Sequence, residues 1–81
     1  EADMTGFVSV YVTASSAEEA ERIARALVEE RLAACVNLLG GIVSVYRWGG
    51  AVRRDAEVAF LAKTRRELFD ALAARVRALH G

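Results

Sequence analysis

Two side chains in this sequence have the chemistry to bind a transition metal: Cys35 and His80, its one thiol and its one imidazole. A cysteine thiolate suits Cu(I) and zinc, and imidazole is the commonest metal ligand in proteins. Each residue also has a simpler structural interpretation. A free cysteine at the start of a strand is typically a small buried hydrophobe, and a histidine at the end of a helix favours the helix dipole.

The predicted elements place these two residues apart. Cys35 lies where a helical pattern gives way to a strand, and His80 ends a second helical pattern. A helix of about sixteen residues rises roughly 24 Å and carries the chain back to the opposite end of the sheet. We therefore expect that Cys35 and His80 cannot share one metal ion within a single subunit.

A second group combines aromatic and charged side chains around a predicted hairpin. Its members are Tyr46, Arg47, Trp48, Glu57 and Lys63. Such a group could border a cleft between subunits that binds an anion or another small ligand. Alternatively, the aromatic residues anchor a protein–protein interface and the charged residues form its rim, because interfaces are enriched in aromatic residues and arginine.

Composition and motifs argue against several classes of function. Eleven basic and eleven acidic residues give a net charge of zero, which supplies no electrostatic footprint for nucleic acid or an anionic membrane. No apolar run approaches the ~20 residues of a membrane helix, and no signal peptide is recognised. No Ser/His/acid order, glycine-rich phosphate loop or Cys-x-x-Cys motif is present, so we expect no catalysis. A single cysteine fits a reducing compartment, which predicts a cytoplasmic location.

The first half of the chain predicts a strand followed by a helix. Residues 1–5 are expected to form a disordered lead. Residues 6–14 alternate β-branched and aromatic residues, which is typical of a strand. Ser16 and Glu19 stand at capping-box spacing, at the start of a helix that is predicted from residue 17 to residue 32.

The second half opens with a predicted hairpin. A strand is expected from residue 35 to residue 48, with a bulge or bend at Gly40-Gly41. Gly49-Gly50 is a strong signal for a two-residue hairpin turn. A third strand is then predicted from residue 51 to residue 63.

The last element is a predicted helix, opened by a second capping box at Thr64 and Glu67. Its buried stripe comprises Leu68, Leu72, Val76 and Leu79. Residues 1–81 then form one α+β domain of order β-α-β-β-α, five of the six elements of the ferredoxin-like βαββαβ pattern. Without the last strand the first strand would have an open edge, which soluble proteins avoid. We expect residues beyond Gly81, or another chain, to cover that edge.

Two features predict association. The predicted third strand has thirteen residues and spans about 43 Å at ~3.3 Å per residue. A compact domain of this size has a radius of gyration of only about 12 Å. The hairpin tip, residues 46–52, must therefore overhang the body. The third strand also has apolar residues on both faces, although both helices lie on one face. A second copy is the simplest cover for the other face, so we predict a homo-oligomer.

Several segments resemble the CutA family of divalent-cation tolerance proteins. They are Val12-Thr13-Ala14, residues 27–37 (LVEERLAACVN), Ser44-x-Tyr46-x-Trp48-x-Gly50, Glu57, Lys63-Thr64 and Arg75-Val76-x-x-Leu79-His80. They cover nearly the whole chain from residue 8 to residue 80. The resemblance implies a ferredoxin-like subunit in a tight trimer similar to the PII signalling proteins, with sheets around a threefold axis and hairpins that reach onto neighbours.

The sequence departs from the family pattern at several positions. The family usually carries proline where Ser15 and Gly40 stand, and it continues after His80 with a Pro-Tyr segment and a further strand. Some relatives are proposed to bind copper through a first-strand cysteine, where this chain has Val12, and through histidines that end the second helix, of which His80 alone is present.

The leading hypothesis is a CutA-like homotrimer in divalent-metal tolerance, without catalysis, and copper is the metal that the family implies. His80 and exposed carboxylates would make at most weak contacts with copper or another divalent metal. One alternative is a PII-like regulatory module that binds a small anionic ligand between subunits. Another is a structural trimer or interaction scaffold. The expected partner is a second copy of the chain, with no nucleic acid and no membrane.

Overall fold

The computed structural model describes residues 6–80; the predicted lead, residues 1–5, lies outside them. The elements follow the order β1 Phe7–Ala14, α1 Ala17–Glu29, β2 Cys35–Trp48, β3 Ala51–Arg65, a 3-10 turn Arg66–Leu68 and α2 Phe69–Leu79. The three strands form an antiparallel sheet in the order β1-β3-β2. The predicted β-α-β-β-α arrangement is confirmed, and in the described part of the chain the outer edge of β1 has no strand partner.

Helix α1 begins at a side-chain cap. The Glu19 N–H donates to Ser16 Oγ at 3.1 Å, which satisfies one of the helix's first free donors. In return, Glu19 Oε1 accepts from the Ser15 N–H at 2.8 Å and from Ser15 Oγ at 2.9 Å. The predicted N-terminus is confirmed, and the glutamate's return contact is made one residue earlier than in a standard capping box.

The predicted end of α1 at residue 32 is wrong, because the helix ends at Glu29. The backbone reverses through Arg31, whose φ is +62°. Leu32 N–H donates to Leu27 O at 2.9 Å and Arg31 N–H donates to Val28 O at 3.1 Å. These two bonds form a Schellman motif, which satisfies the last carbonyls of the helix. Leu32 then packs against the core rather than extending the helix.

The predicted hairpin between β2 and β3 is confirmed, and its bulge lies at Leu39, one residue before the predicted Gly40-Gly41. Pairing with β3 skips Leu39 between Leu38 and Gly40, so one extra residue is accommodated in β2. At the tip Gly49 and Gly50 have φ of +60° and +79°. Positive φ at both central residues is the geometry of a type I′ turn, which matches the twist of a two-stranded ribbon.

The second predicted capping box is wrong. Thr64 stays in β3, is 1% exposed, and donates from Oγ1 to Leu32 O at 2.7 Å. Helix α2 starts later, at Phe69, after the 3-10 turn, and it has no side-chain cap. Burial of the threonine beside the α1–β2 loop outweighs the local capping signal, because a buried hydroxyl must find an acceptor. The predicted stripe of α2 is buried at Leu72 and Val76.

The core lies between the helices and one face of the sheet. Phe60 and Ala62 of β3 pack there against Ile23 and Leu27 of α1 and Leu72 of α2. The alternate residues of each strand point to the other side, which we call the open face because no helix covers it. It carries Phe7, Tyr11, Cys35, Ala59, Leu61 and Lys63 among others. The prediction that β3 has apolar residues on both faces is therefore confirmed.

The sheet extends beyond the body as a two-stranded ribbon. β1 pairs with β3 only as far as Val58, opposite Ala14. From Ile42↔Glu57 to Trp48↔Ala51, β2 and β3 pair only with each other; we call residues 42–57 the hairpin arm. It spans roughly 20 Å within a molecule of 40 × 25 × 21 Å. The predicted overhang is present.

Candidate functional site

Cys35 is the first residue of β2, and the prediction that it is buried is wrong for the single chain. It is exposed and pairs across the sheet with Lys63. The next pair, Val36↔Ala62, packs against the core, so Cys35 and Lys63 point to the open face. The thiol is exposed because β2 is an edge strand here and no helix covers this side.

His80 lies just after α2, at the far end of the groove between α2 and β1. It caps the helix with its own N–H, which donates to Val76 O at 3.0 Å, and its side chain is exposed. The groove has a volume of about 290 Å³ and is lined by Val12, Thr13, Phe69 and His80 together with other residues. Thr13 pairs with Ala59, whereas Cys35 pairs with Lys63. The two metal candidates therefore mark opposite ends of the sheet.

No preformed metal centre exists within residues 6–80. No three histidine, cysteine, aspartate or glutamate side chains in that range lie close enough to hold one ion. Zinc and copper sites use three or four such ligands. A metal site of ordinary coordination would therefore require ligands from more than one copy of the described chain.

A ladder of hydroxyl–carboxylate hydrogen bonds lies on the hairpin arm. Ser44 Oγ donates to Glu57 Oε1 at 2.6 Å, and the Tyr46 hydroxyl donates to Asp55 Oδ2. The bond to Asp55 raises the pKa of Tyr46, and partial desolvation and the charges of Asp55 and Glu57 act in the same direction. All four residues lie on the open side of the arm, and each hydroxyl keeps a carboxylate in place.

The structure brings together only part of the predicted aromatic and charged group. Trp48, which is 67% exposed, lies on the same face as Tyr46 and Glu57. Arg47 points to the opposite face, because side chains alternate along a strand. Lys63 is six residues from Glu57 on β3, a separation of roughly 20 Å.

Sequence reasoning missed the roles of Ser44 and Asp55 in this ladder. The sequence does contain a feature that predicts the ladder: the Gly49-Gly50 turn fixes the register of the hairpin and so pairs Ser44 with Asp55. Two acidic residues spaced by two on one strand then face two hydroxyls spaced by two on the other.

Comparison with known proteins identifies the family. The model of the family described as CutA1 divalent ion tolerance protein matches residues 8–81. The chain belongs to the CutA1 family. The sequence resemblance stated above is confirmed, and so are the α+β architecture and the topology that it implied.

The CutA1 relatives include bacterial, plant and archaeal proteins. The divalent-cation tolerance protein CutA of Thermus thermophilus is 54% identical over 88% of this chain and 69% of its own length. A solved structure of the Thermus protein superposes with a TM-score of 0.88, at 51% identity, over 91% of this chain and 72% of that one. The structure described as periplasmic CutA from Archaeoglobus fulgidus gives a TM-score of 0.88 at 44% identity, covering 93% and 72%.

Plant CutA1 proteins are longer. Protein CutA 1, chloroplastic, from rice is 48% identical over 90% of this chain but only 41% of its own length. The chain thus spans about two fifths of that relative and about two thirds of the Thermus one. Among residues 6–80 no helix has the length and apolar character needed to span a bilayer.

Proposed function

We propose that this chain acts in divalent-cation tolerance, as the non-catalytic subunit of a CutA1-type homotrimer. The observation that carries the proposal is the family match over residues 8–81, together with a 54% identical relative that bears the name divalent-cation tolerance protein. Residues 1–81 act as one domain in this proposal. Its function is binding and assembly rather than bond chemistry.

Exposed apolar surface supports the homo-oligomer. Tyr11 and Phe7 on the open face are 57% and 59% exposed, and Trp48 on the arm is 67% exposed. Val45, on the other side of the arm, is also 67% exposed. A soluble protein rarely leaves so many large apolar side chains of one sheet uncovered. Three copies with their open faces together and their arms on neighbouring subunits would bury it.

Metal binding in this proposal uses few ligands per chain. His80 is the candidate imidazole and Cys35 the candidate thiolate, and copper is the metal we propose first. Because the two lie at opposite ends of one sheet, each would have to combine with groups of another copy. We therefore expect weak copper binding, with other divalent ions weaker still.

Calorimetric titration of the intact protein with Cu²⁺ tests the metal assignment. We expect measurable heat in the wild type and a smaller affinity in His80→Ala, because one ligand is lost. Arg77→Ala is the matched control, since it removes a neighbouring cation at the end of α2 without removing a ligand. Equal copper binding in the wild type and His80→Ala would contradict a role for His80.

The second candidate function is regulation by a small anionic ligand. The groove between α2 and β1 favours it, because Arg77 and His80 both line its 290 Å³ volume, and the guanidinium of Arg77 supplies positive charge there. Titration with nucleotides separates the two functions. Stoichiometric nucleotide binding without any copper heat would favour the regulatory module, and neither kind of heat would favour a structural scaffold.

A cytoplasmic location completes the proposal. The exposed thiol of Cys35 supports it, because an unpaired surface cysteine is best preserved under reducing conditions. CutA1 relatives are described as chloroplastic in rice and periplasmic in Archaeoglobus, so location varies within the family. Fractionation of the native cells, followed by immunodetection of the chain, tests this point.

A further inference from the structure

A groove lies at the end of the sheet that is remote from the hairpin arm. It forms where the α1–β2 connection meets the end of β3, and we call it the base groove. Its volume is about 260 Å³. Its basic lining residues are Arg31 and Arg65, and its apolar ones are Val28, Ala33, Ala34 and Leu68. The base groove shares no lining residue with the groove between α2 and β1.

Hydrogen bonds hold together the two segments that form the base groove. Thr64 Oγ1 donates to Leu32 O at 2.7 Å, and the Ala34 N–H donates to Lys63 O at 2.8 Å. Both bonds join the α1–β2 connection to the last residues of β3. A groove whose walls are already fixed costs a ligand less to bind than one that must first be ordered.

Arg31 is an unusual residue for its backbone position. Its φ is +62°, and at this position of a Schellman motif glycine is the usual residue, because other residues are strained there. Within residues 6–80 the Arg31 side chain makes no ion pair, and the preceding Glu30 pairs with Arg75 instead. Strained positions of this kind are concentrated at functional sites. The Arg31 guanidinium thus lines the base groove with its donors unused.

Arg65 uses only part of its guanidinium within the described chain. Its Nε donates to Glu67 Oε2 at 3.1 Å, and the group lies 5.8 Å from the centre of the Phe7 ring. Its two terminal nitrogens donate no hydrogen bond within residues 6–80. The charge of Arg66 also acts on Glu67. One carboxylate among three arginines, with Arg31 the third, leaves this end of the molecule positive.

We propose that the base groove binds a small organic phosphate, whose phosphate group contacts Arg31 and Arg65. A phosphate monoester has three terminal oxygens, and arginine binds such oxygens through paired, charge-assisted hydrogen bonds. The apolar walls contact the organic part of the ligand. Because pockets for drug-sized molecules begin at about 300 Å³, the base groove suits a smaller compound. The site depends neither on metal binding nor on the homotrimer.

Calorimetric titration of the intact protein with phenyl phosphate, at constant ionic strength, tests the site. We expect saturable binding of one molecule per chain. Inorganic phosphate should bind more weakly, because it makes no contact with the apolar walls, and benzoate should bind more weakly, because a carboxylate has one oxygen fewer. Absence of saturable heat would overturn the site, and benzoate binding as tight as that of phenyl phosphate would overturn the assignment to phosphate.

Two variants test the arginines. Arg31→Gly and Arg65→Gln should each weaken phenyl phosphate binding at least about tenfold, because each removes charged hydrogen bonds. Arg25→Gln is the matched control, since Arg25 is an exposed arginine of α1 outside the base groove, and it should bind like the wild type. Arg31→Gly also relieves the backbone strain. In phosphate-free buffer its free energy of unfolding should be no lower than that of the wild type, and phenyl phosphate should raise it less.

Three results from the variants would overturn the proposal. The first is unchanged phenyl phosphate binding in Arg31→Gly. The second is an equal loss in Arg25→Gln, which would indicate attraction to general surface charge. The third is a loss in Arg77→Gln with none in Arg31→Gly, which would place the phosphate in the groove between α2 and β1.

Discussion

At the scale of single residues, two polar contacts connect parts of the chain that are distant in sequence. Thr64 Oγ1 donates to Leu32 O and so fastens the end of β3 to the loop after α1. Arg75 holds Glu30 through two bonds, Nε to Oε1 at 2.8 Å and Nη2 to Oε2 at 2.9 Å. Both contacts fix the α1–β2 connection, from which Cys35 begins the sheet.

Replacing Thr64 by valine should destabilise the protein. The substitution keeps the shape of the side chain but leaves the Leu32 carbonyl without its donor, which costs about 1–3 kcal/mol. Urea unfolding at a fixed chain concentration measures the loss. Thr64→Ser keeps the hydroxyl and should lose less. A valine variant as stable as the wild type would mean that water replaces the hydroxyl.

The Glu30–Arg75 ion pair should make the stability of the protein depend on pH in the acidic range. The hydrogen bond from Arg75 lowers the pKa of Glu30, helped by its charge and opposed by desolvation. The pair's contribution to stability is therefore complete above the ordinary glutamate pKa and is lost as the pH falls through the lowered one. A carboxyl titration followed by NMR should show that midpoint rise in Arg75→Gln. Arg77→Gln should leave it unchanged, and a shift there would contradict a specific pair.

At the scale of elements, each connection is decided by backbone geometry as much as by pattern. Helix α1 stops because Arg31 adopts φ of +62° in a Schellman motif. Non-glycine residues reach that region only at a cost of about 1–2 kcal/mol. The strain is tolerated because the motif satisfies two carbonyls and directs Leu32 into the core.

Arg31→Gly should stabilise the protein. Glycine removes the strain of the left-handed conformation, and after its greater entropy in the unfolded state a net gain of roughly 0.5 kcal/mol is expected. Equilibrium unfolding measures it. Ala26→Gly, inside the helix and half-buried, is the control and should lose about 0.5–1 kcal/mol. A loss in Arg31→Gly would show that the arginine side chain makes a stabilising contact in the assembled protein.

Local signals predicted the elements but not all of their limits. The alternation in β1, the Gly49-Gly50 turn and the Ser16 cap depend on neighbouring residues, and each is found where it was predicted. The capping signal at Thr64 failed because its hydroxyl is satisfied by Leu32, thirty-two residues away. The candidate site was only partly predictable for the same reason: which side chains share a face depends on register and on the bulge.

At the scale of the whole molecule, the described chain has more apolar surface than one copy can cover. The helices cover one face of the sheet, while the open face and the arm expose Tyr11, Trp48 and Val45. The free outer edge of β1 adds unpaired backbone groups in the described residues. Burial of these surfaces, more than any single polar contact, is what makes the proposed homotrimer the natural unit of function.

Light scattering should therefore report three times the chain mass of 8.8 kDa. Trp48→Ala should shift the equilibrium toward the monomer at least about tenfold, since a buried aromatic anchor typically contributes 2 kcal/mol or more to an interface. Val28→Ala is the control, because Val28 lies on α1, away from the arm and the open face. A wild type at the mass of a single chain would contradict the trimer.

The extra residue Leu39 determines how a deletion in β2 would change the face on which its side chains lie. Before it, odd-numbered side chains such as Cys35 lie on the open face; after it, even-numbered ones such as Ser44 and Tyr46 do. Removing Leu39 would leave regular pairing between β2 and β3, with every other side chain of β2 on its present face. Removing a paired residue from the arm would instead move the side chains on one side of the deletion to the opposite face. Leu39 therefore places the odd-numbered residues before it and the even-numbered residues after it on the same face of the sheet.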